Sequence, residues 1–226
     1  GKSTLIKVLS GAHLPDVDSI RLGGERQTIT NPVDAQRAGV AVIYQEFNLI
    51  PSLTARENIF LGQERAVCGF IPHRQERDAA AELFRRLEVS IDPESPCGKL
   101  TVAQQQIVEI AKALSLKARI IVMDEPTATL TGREVSRLFS IIRELKAHGI
   151  GIVYVSHRLQ EISEIADRVT VLRDGFQVAV FDSSKVAREE LIEMMVGRKL
   201  ESEFPEREVA IGDRCRWRKG WCGYGG

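Results

Sequence analysis

The sequence predicts an α/β fold built on a mainly parallel sheet, and three apolar runs carry that reading. They are Gly39 to Tyr44, Ile120 to Met123 and Ile152 to Val155. Each is unbroken rather than alternating, as strands covered on both faces are. Polar residues follow each run at once: Gln45, the pair Asp124 and Glu125, and the pair Ser156 and His157. Capped amphipathic stretches lie between the runs, the alternation expected of strands joined by crossover helices. In open sheets of this kind ligands bind beyond the carboxyl ends of the strands, so the three run ends nominate one site.

The central run matters most. Pro126 forbids the ladder from continuing past Asp124 and Glu125. Two adjacent acids at the end of a buried strand are costly unless a cation meets them. Acids at strand ends also simply face water, and this stretch alone does not separate the two readings.

The remaining elements follow in order. Gly1-Lys2-Ser3-Thr4 precedes Leu5, Ile6 and Leu9 at helical spacing. Gly-Lys-Ser/Thr opening a helix is the second half of a phosphate-binding P-loop, with Lys2 reaching phosphates and Ser3 holding Mg²⁺. Ser19 to Thr30, turning at Gly23-Gly24, predicts a short hairpin. Thr54 and Glu57 form a capping box. A helical region is expected over about 62–117, with one face marked by Ala79, Leu83, Arg86 and Leu87. Within it, Thr101 and Gln104 cap a helix whose stripe is Ile107, Ile110, Ala111 and Leu114. An ordinary capped helix explains this stretch as well as a helix N-terminus offered to phosphate does.

After the central strand, Thr131 and Glu134 cap a helix with apolar residues Val135, Leu138, Phe139, Ile142 and Leu145, stopped by Gly149. Asp174-Gly175 between Val169 to Arg173 and Phe176 to Phe181 predicts a type I′ hairpin. Arg188 to Met195 reads as a last amphipathic helix, and a disordered tail is expected over 206–226.

Composition narrows the function. The 226 residues carry 31 basic and 31 acidic side chains, so no net charge points to nucleic acid. No apolar run approaches the roughly 18 residues that span a bilayer, and no signal peptide is visible. Cys68, Cys97, Cys215 and Cys222 lack metal-type pairing, which fits a reducing cytosol. A soluble, cytoplasmic protein is expected.

Together these residues resemble the ATP-binding cassette of ABC transporters, a P-loop NTPase (RecA-like) fold with an inserted helical subdomain and a small antiparallel β portion. The likeness runs from Gly1 to about Pro205, as a single cassette domain over 1–205. Gly1 to Thr4 looks like the end of the Walker A loop, and Gln45 like the Q-loop glutamine. Leu100 to Gln104 stands where the signature motif belongs. Ile120 to Asp124 with Glu125 is similar to Walker B and its catalytic glutamate, and His157 to the switch histidine. VEIAKALS, MDEPTATLT, GIVYVSHRLQEI and LIEMMVGRKLE further resemble the first half of the double-cassette ATPases of monosaccharide importers.

The resemblance implies ATP and Mg²⁺ as cofactors, with the metal on Ser3, Gln45 and Asp124. It implies Glu125 and His157 as catalytic residues, and Gly1, Lys2, Ser3, Thr4, Gln45, Asp124, Thr101, Ala103 and Gln104 as nucleotide-binding residues. It also implies a second cassette, an integral membrane sugar permease, an indirect periplasmic-type sugar-binding protein, and a peripheral place on the cytoplasmic face of the plasma membrane. The chain departs from the family in two motifs. Thr101-Val102-Ala103 stands for Ser-Gly-Gly in the signature, and Thr131 for the D-loop aspartate, which hints at two unequal composite sites.

The sequence also begins inside Walker A, with the upstream glycine, four loop residues and the preceding strand absent. Charge-assisted hydrogen bonds are each worth about 1.5–3 kcal/mol, so losing several predicts poor ATP binding and marginal folding for this chain. The Trp, Cys and Gly-rich ending suggests a partial or frame-shifted product. Rival readings are a cassette ATPase of DNA repair or translation, a P-loop GTPase or small-molecule kinase, and a nucleotide clamp without turnover. Neutral charge opposes the first, and the absent Asn-Lys-x-Asp opposes the GTPase.

Overall fold

A computed structural model describes residues 1–16, 19–63, 73–183 and 188–196. The chain order is α1 (Lys2–Leu9), β1 (Ile20–Leu22), β2 (Glu25–Gln27), α2 (Pro32–Arg37), β3 (Val40–Ile43), α3 (Ala55–Phe60) and α4 (His73–Arg86). It continues with α5 (Val102–Ser115), β4 (Ile120–Asp124), α6 (Gly132–Ala147), β5 (Gly151–Val155), α7 (Leu159–Ile165), β6 (Arg168–Arg173), β7 (Phe176–Asp182) and α8 (Arg188–Val196).

The predicted parallel sheet is present. β4 lies between β3 and β5, with Ile43 opposite Met123 and Asp124 opposite Val155. Successive residues of β4 enter different cores because strand side chains alternate between faces. Ile121 and Met123 pack with α3, α4, α5 and α6 on one face. Val122 packs with Ile6 of α1, Leu22 of β1 and Ala35 of α2 on the other. All three β4 residues are fully buried, and burial of each such side chain is worth about 1.5–3 kcal/mol. A third cluster joins Val169 and Val171 of β6 to Leu191 of α8.

Local chemistry explains the element ends. Thr54 and Glu57 close a reciprocal capping box on α3, and Thr101 and Gln104 close one on α5. At α6 the Glu134 carboxylate accepts from the Thr131 N–H and hydroxyl, both at 2.8 Å. The α6 helix stops where Gly149 takes φ +80°. Asp174 and Gly175 both have positive φ, as the predicted type I′ turn requires.

Three expectations need correction. Within the helical region expected over 62–117, α4 and α5 are separate helices: α4 ends at Arg86, and Glu88 (φ 53°), an irregular stretch and a 3₁₀ turn over Cys97–Lys99 intervene. The inner face of α4 is Ala80, Leu83 and Phe84, with Leu87 buried just past its end, whereas Ala79 and Arg86 are exposed. On α5, Gln106 through Ala111 are all buried, because α3 and α4 cover the side away from the sheet. β5 is not buried on both faces; among the described residues it pairs with β4 alone, and Val153 is 37% exposed. Helix α2 was not foreseen. Cys68 and the tail expected over 206–226 lie outside the described residues, and Cys97 is buried with a free thiol. Among the described residues no helix is long and apolar enough to cross a membrane.

Candidate functional site

The site forms where β3, β4 and β5 end. Parallel register puts Gln45 and Glu125 level, each two residues beyond the paired Ile43 and Met123. It likewise carries Ser156 and His157 past Val155, the partner of Asp124. Gln45 is exposed there.

Glu125 does not continue the strand. Its backbone is left-handed (φ 47°), with the N–H donating to the Val155 carbonyl at 2.9 Å. A non-glycine residue in that region costs of the order of 1–3 kcal/mol, and such strain clusters at working sites. The turn aims the Glu125 carboxylate at His157, with Oε1 3.0 Å from Nδ1. Glu125 is largely covered and His157 mostly exposed.

Asp124 is half-buried. Burial, and then the neighbouring Glu125 charge, push its carboxyl above the usual range, and Lys2 opposes them. The Lys2 charge therefore acts on Asp124 from the first turn of α1, and Lys2 shares a groove with Val155 and Ser156. Gly1, Ser3 and Thr4 are exposed at that same helix start. Helix N-termini carry free N–H groups and a positive dipole end, which suits phosphate.

The structure thus brings Lys2, Asp124, Glu125 and His157 together and sets Gln45 on the same sheet edge. It does not bring Thr101, Ala103 and Gln104 to them. Those residues sit at the start of α5, where Thr101 and Gln104 cap each other. Gln105 holds the Cys97 and Leu100 carbonyls there. One residue that sequence reasoning passed over, Glu161 on α7, is hydrogen-bonded to Thr127 and Ser156 beside the Glu125–His157 pair. Its only sequence signal is the spacing of Arg158 and Glu161 on one helix face.

The donor set fits a hard divalent cation accompanied by phosphate. Asp124 and Glu125 supply carboxylates, Lys2 supplies a positive charge near Asp124, and the exposed Ser3 and Gln45 offer neutral oxygens. Among the described residues no three or more His, Cys, Asp and Glu side chains form a metal cage. Mg²⁺ characteristically binds through one or two carboxylates plus substrate phosphates rather than in such cages.

Residues 1–128 match the ABC transporter family. The chain belongs to the ABC transporter family. This cassette is 52% identical over 214 residues to the ribose import ATP-binding protein RbsA 2 of Burkholderia ambifaria, covering 94% of this chain and 42% of the relative. It is 46% identical over 214 residues to a putative ribose/galactose/methyl galactoside import ATP-binding protein of Rhizobium meliloti, with the same two coverages. The chain thus spans less than half the length of these curated relatives. A nucleotide-free ATP-binding cassette from an ABC transporter superposes with TM-score 0.73 at 26% identity, covering 87% of this chain and 80% of that one. The ADP conformation of the cassette MJ1267 gives 0.70 at 26% identity, with the same coverages. The fold is therefore the P-loop NTPase cassette expected.

Proposed function

We propose that this cassette is the ATP-binding and ATP-hydrolysing part of a machine that imports a monosaccharide. The approach of His157 Nδ1 to Glu125 Oε1 at 3.0 Å, beside Asp124 and Lys2, carries the reading. The likeness to ribose import ATP-binding proteins supports the substrate class. Neutral charge and those relatives weigh against a repair or translation factor.

Each residue has a role that its surroundings suit. The α1 start (Gly1, Lys2, Ser3 and Thr4) receives the phosphates, with Lys2 neutralising their charge. Ser3, Gln45 and Asp124 hold Mg²⁺, which when bound draws charge off the phosphate oxygens. Glu125, strained toward the site, accepts hydrogen bonds from a water and orients it for in-line attack. His157 orients Glu125 and donates to a phosphate oxygen. Thr101, Ala103 and Gln104, apart from the cluster in one cassette, contact nucleotide held by a second cassette, so the working unit is a pair.

The domain boundary at about 205, the integral membrane permease, the sugar-binding protein acting through it, and the cytoplasmic face of the membrane belong to the same proposal. Glu125→Gln in the full-length protein tests it. Steady-state phosphate release should fall by about 10²–10⁴-fold, the usual contribution of a general base, with ATP binding kept. Unchanged release would remove Glu125 from that role.

A further inference from the structure

Glu161 is 5% exposed on α7, yet its carboxylate gathers four donors from three segments. Oε1 accepts from the Thr127 hydroxyl at 2.7 Å and from Arg158 Nη1 at 3.3 Å. Oε2 accepts from the Ser156 hydroxyl at 2.8 Å and the Tyr154 hydroxyl at 2.9 Å. Ser156 Oγ in turn accepts the Arg158 N–H at 2.9 Å. The Arg158 guanidinium also donates to the Thr127 and Ala128 carbonyls at 3.3 and 3.5 Å.

The connectivity is what matters. Ser156 and Arg158 are the immediate neighbours of His157, and both are tied to Glu161. Thr127 stands two residues after Glu125 with the rigid Pro126 between, and it too is tied to Glu161. One carboxylate therefore fixes both turns whose side chains meet in the Glu125–His157 pair. An ion bridging 34 residues of chain has no need to be this well satisfied merely to cap α7. Burial alone would raise the Glu161 carboxyl, but Thr127, Ser156, Tyr154 and Arg158 outweigh it and hold the group below its usual value. It stays ionised and accepts from every donor at once.

We propose that Glu161 is a positioning residue for hydrolysis, one that sets the Glu125 carboxylate against the His157 imidazole by clamping their two turns into one body. It rests on the functional reading above, in which Glu125 and His157 serve turnover. The clamp acts on geometry at the reacting end and leaves phosphate binding at α1 untouched. Loss of the clamp should thus lower kcat and spare KM.

The test uses the full-length protein, with ATPase rates taken well below each variant's melting temperature. Glu161→Gln keeps the shape but replaces an acceptor oxygen with a donor facing hydroxyls. It should lower kcat by about 10–100-fold with KM for ATP within about threefold of wild type. Thr127→Val, which cuts one arm, should lower kcat by several-fold, and Thr127→Ser, which keeps the hydroxyl, should restore it. The Glu161→Gln/Thr127→Val double variant should be no slower than Glu161→Gln alone, since both cut one device. Wild-type kcat in folded Glu161→Gln would overturn the proposal. So would Thr127→Ser as slow as Thr127→Val, or losses that add fully. A different result, full turnover in Glu125→Gln with wild-type enzyme active, would instead overturn the functional reading on which it rests.

Discussion

Glu109 shows how a single residue can work against stability for the sake of a connection. It is buried on α5, and its Oε1 accepts the Asn48 N–H at 2.8 Å, linking that helix to the loop that follows Gln45. Burial pushes its carboxyl up, while the Asn48 N–H and Lys112 pull it down without cancelling the effect. A carboxyl raised in the folded state contributes stability that is complete below its unfolded value and lost as pH rises through the folded one. Glu109→Gln keeps an acceptor for Asn48 and removes the ionisation. The variant should melt above the wild type at pH 7, with the gap closing as pH falls toward about 4, the ordinary range of the unfolded group. A gain of about 1 kcal/mol would appear as roughly 2–4 °C in a chain of this size. A gap that stayed constant with pH would assign the effect to packing.

At the scale of elements, α3 shows how side chains hold a short helix that propensity alone would not. Six residues long, it starts at the Thr54 capping box and carries Asn58, which is fully buried. Asn58 accepts the Ile50 N–H at 2.7 Å and donates to the Ile50 and Thr54 carbonyls, both at 3.0 Å. Thr54→Ala should cost about 1 kcal/mol. Asn58→Ala, which leaves the part-buried Ile50 and Thr54 backbone groups without their partner, should cost about 2–3 kcal/mol. Thermal melts should rank the two in that order, and equal losses would contradict the role given to Asn58. The Thr54 and Thr101 caps were legible because a capping box is local, three residues apart. So was α2, whose Asn31 accepts the Asp34 N–H ahead of Pro32, although that signal was missed. The faces of α4 and α5 were not legible in full. Which side of a helix is buried depends on what packs there, and α5 is covered by α3 and α4 as well as by the sheet. Glu161 was hidden for the same reason, since its partner Thr127 lies on another segment and no local pattern announces the pair.

For the molecule as a whole, the sheet places the chemistry, and its register is held because β4 is buried on both faces and tolerates no slip. Asp124, Glu125 and His157 came together as their strand ends required. The exposed character of β5 could not be read from Ile152 to Val155, since an apolar run announces burial without saying what covers it. Among the described residues, β5 borders a groove of about 350 Å³ lined by Leu5, Val153, Val155, Val169 and Leu172, with Lys2 and Arg168 also on its walls. An exposed apolar strand is a template for another strand, which natural sheets blunt by placing charge, lysine above all, on the strand itself. The 226-residue chain should therefore self-associate as its concentration rises. Val153→Lys should suppress this at little cost in stability, within about 0.5 kcal/mol, because the site is already over a third exposed. Sedimentation velocity over a concentration series decides it: growing heavier species for the wild type and a steady monomer for Val153→Lys. If both chains sediment alike at every concentration, the edge is not an adhesive surface.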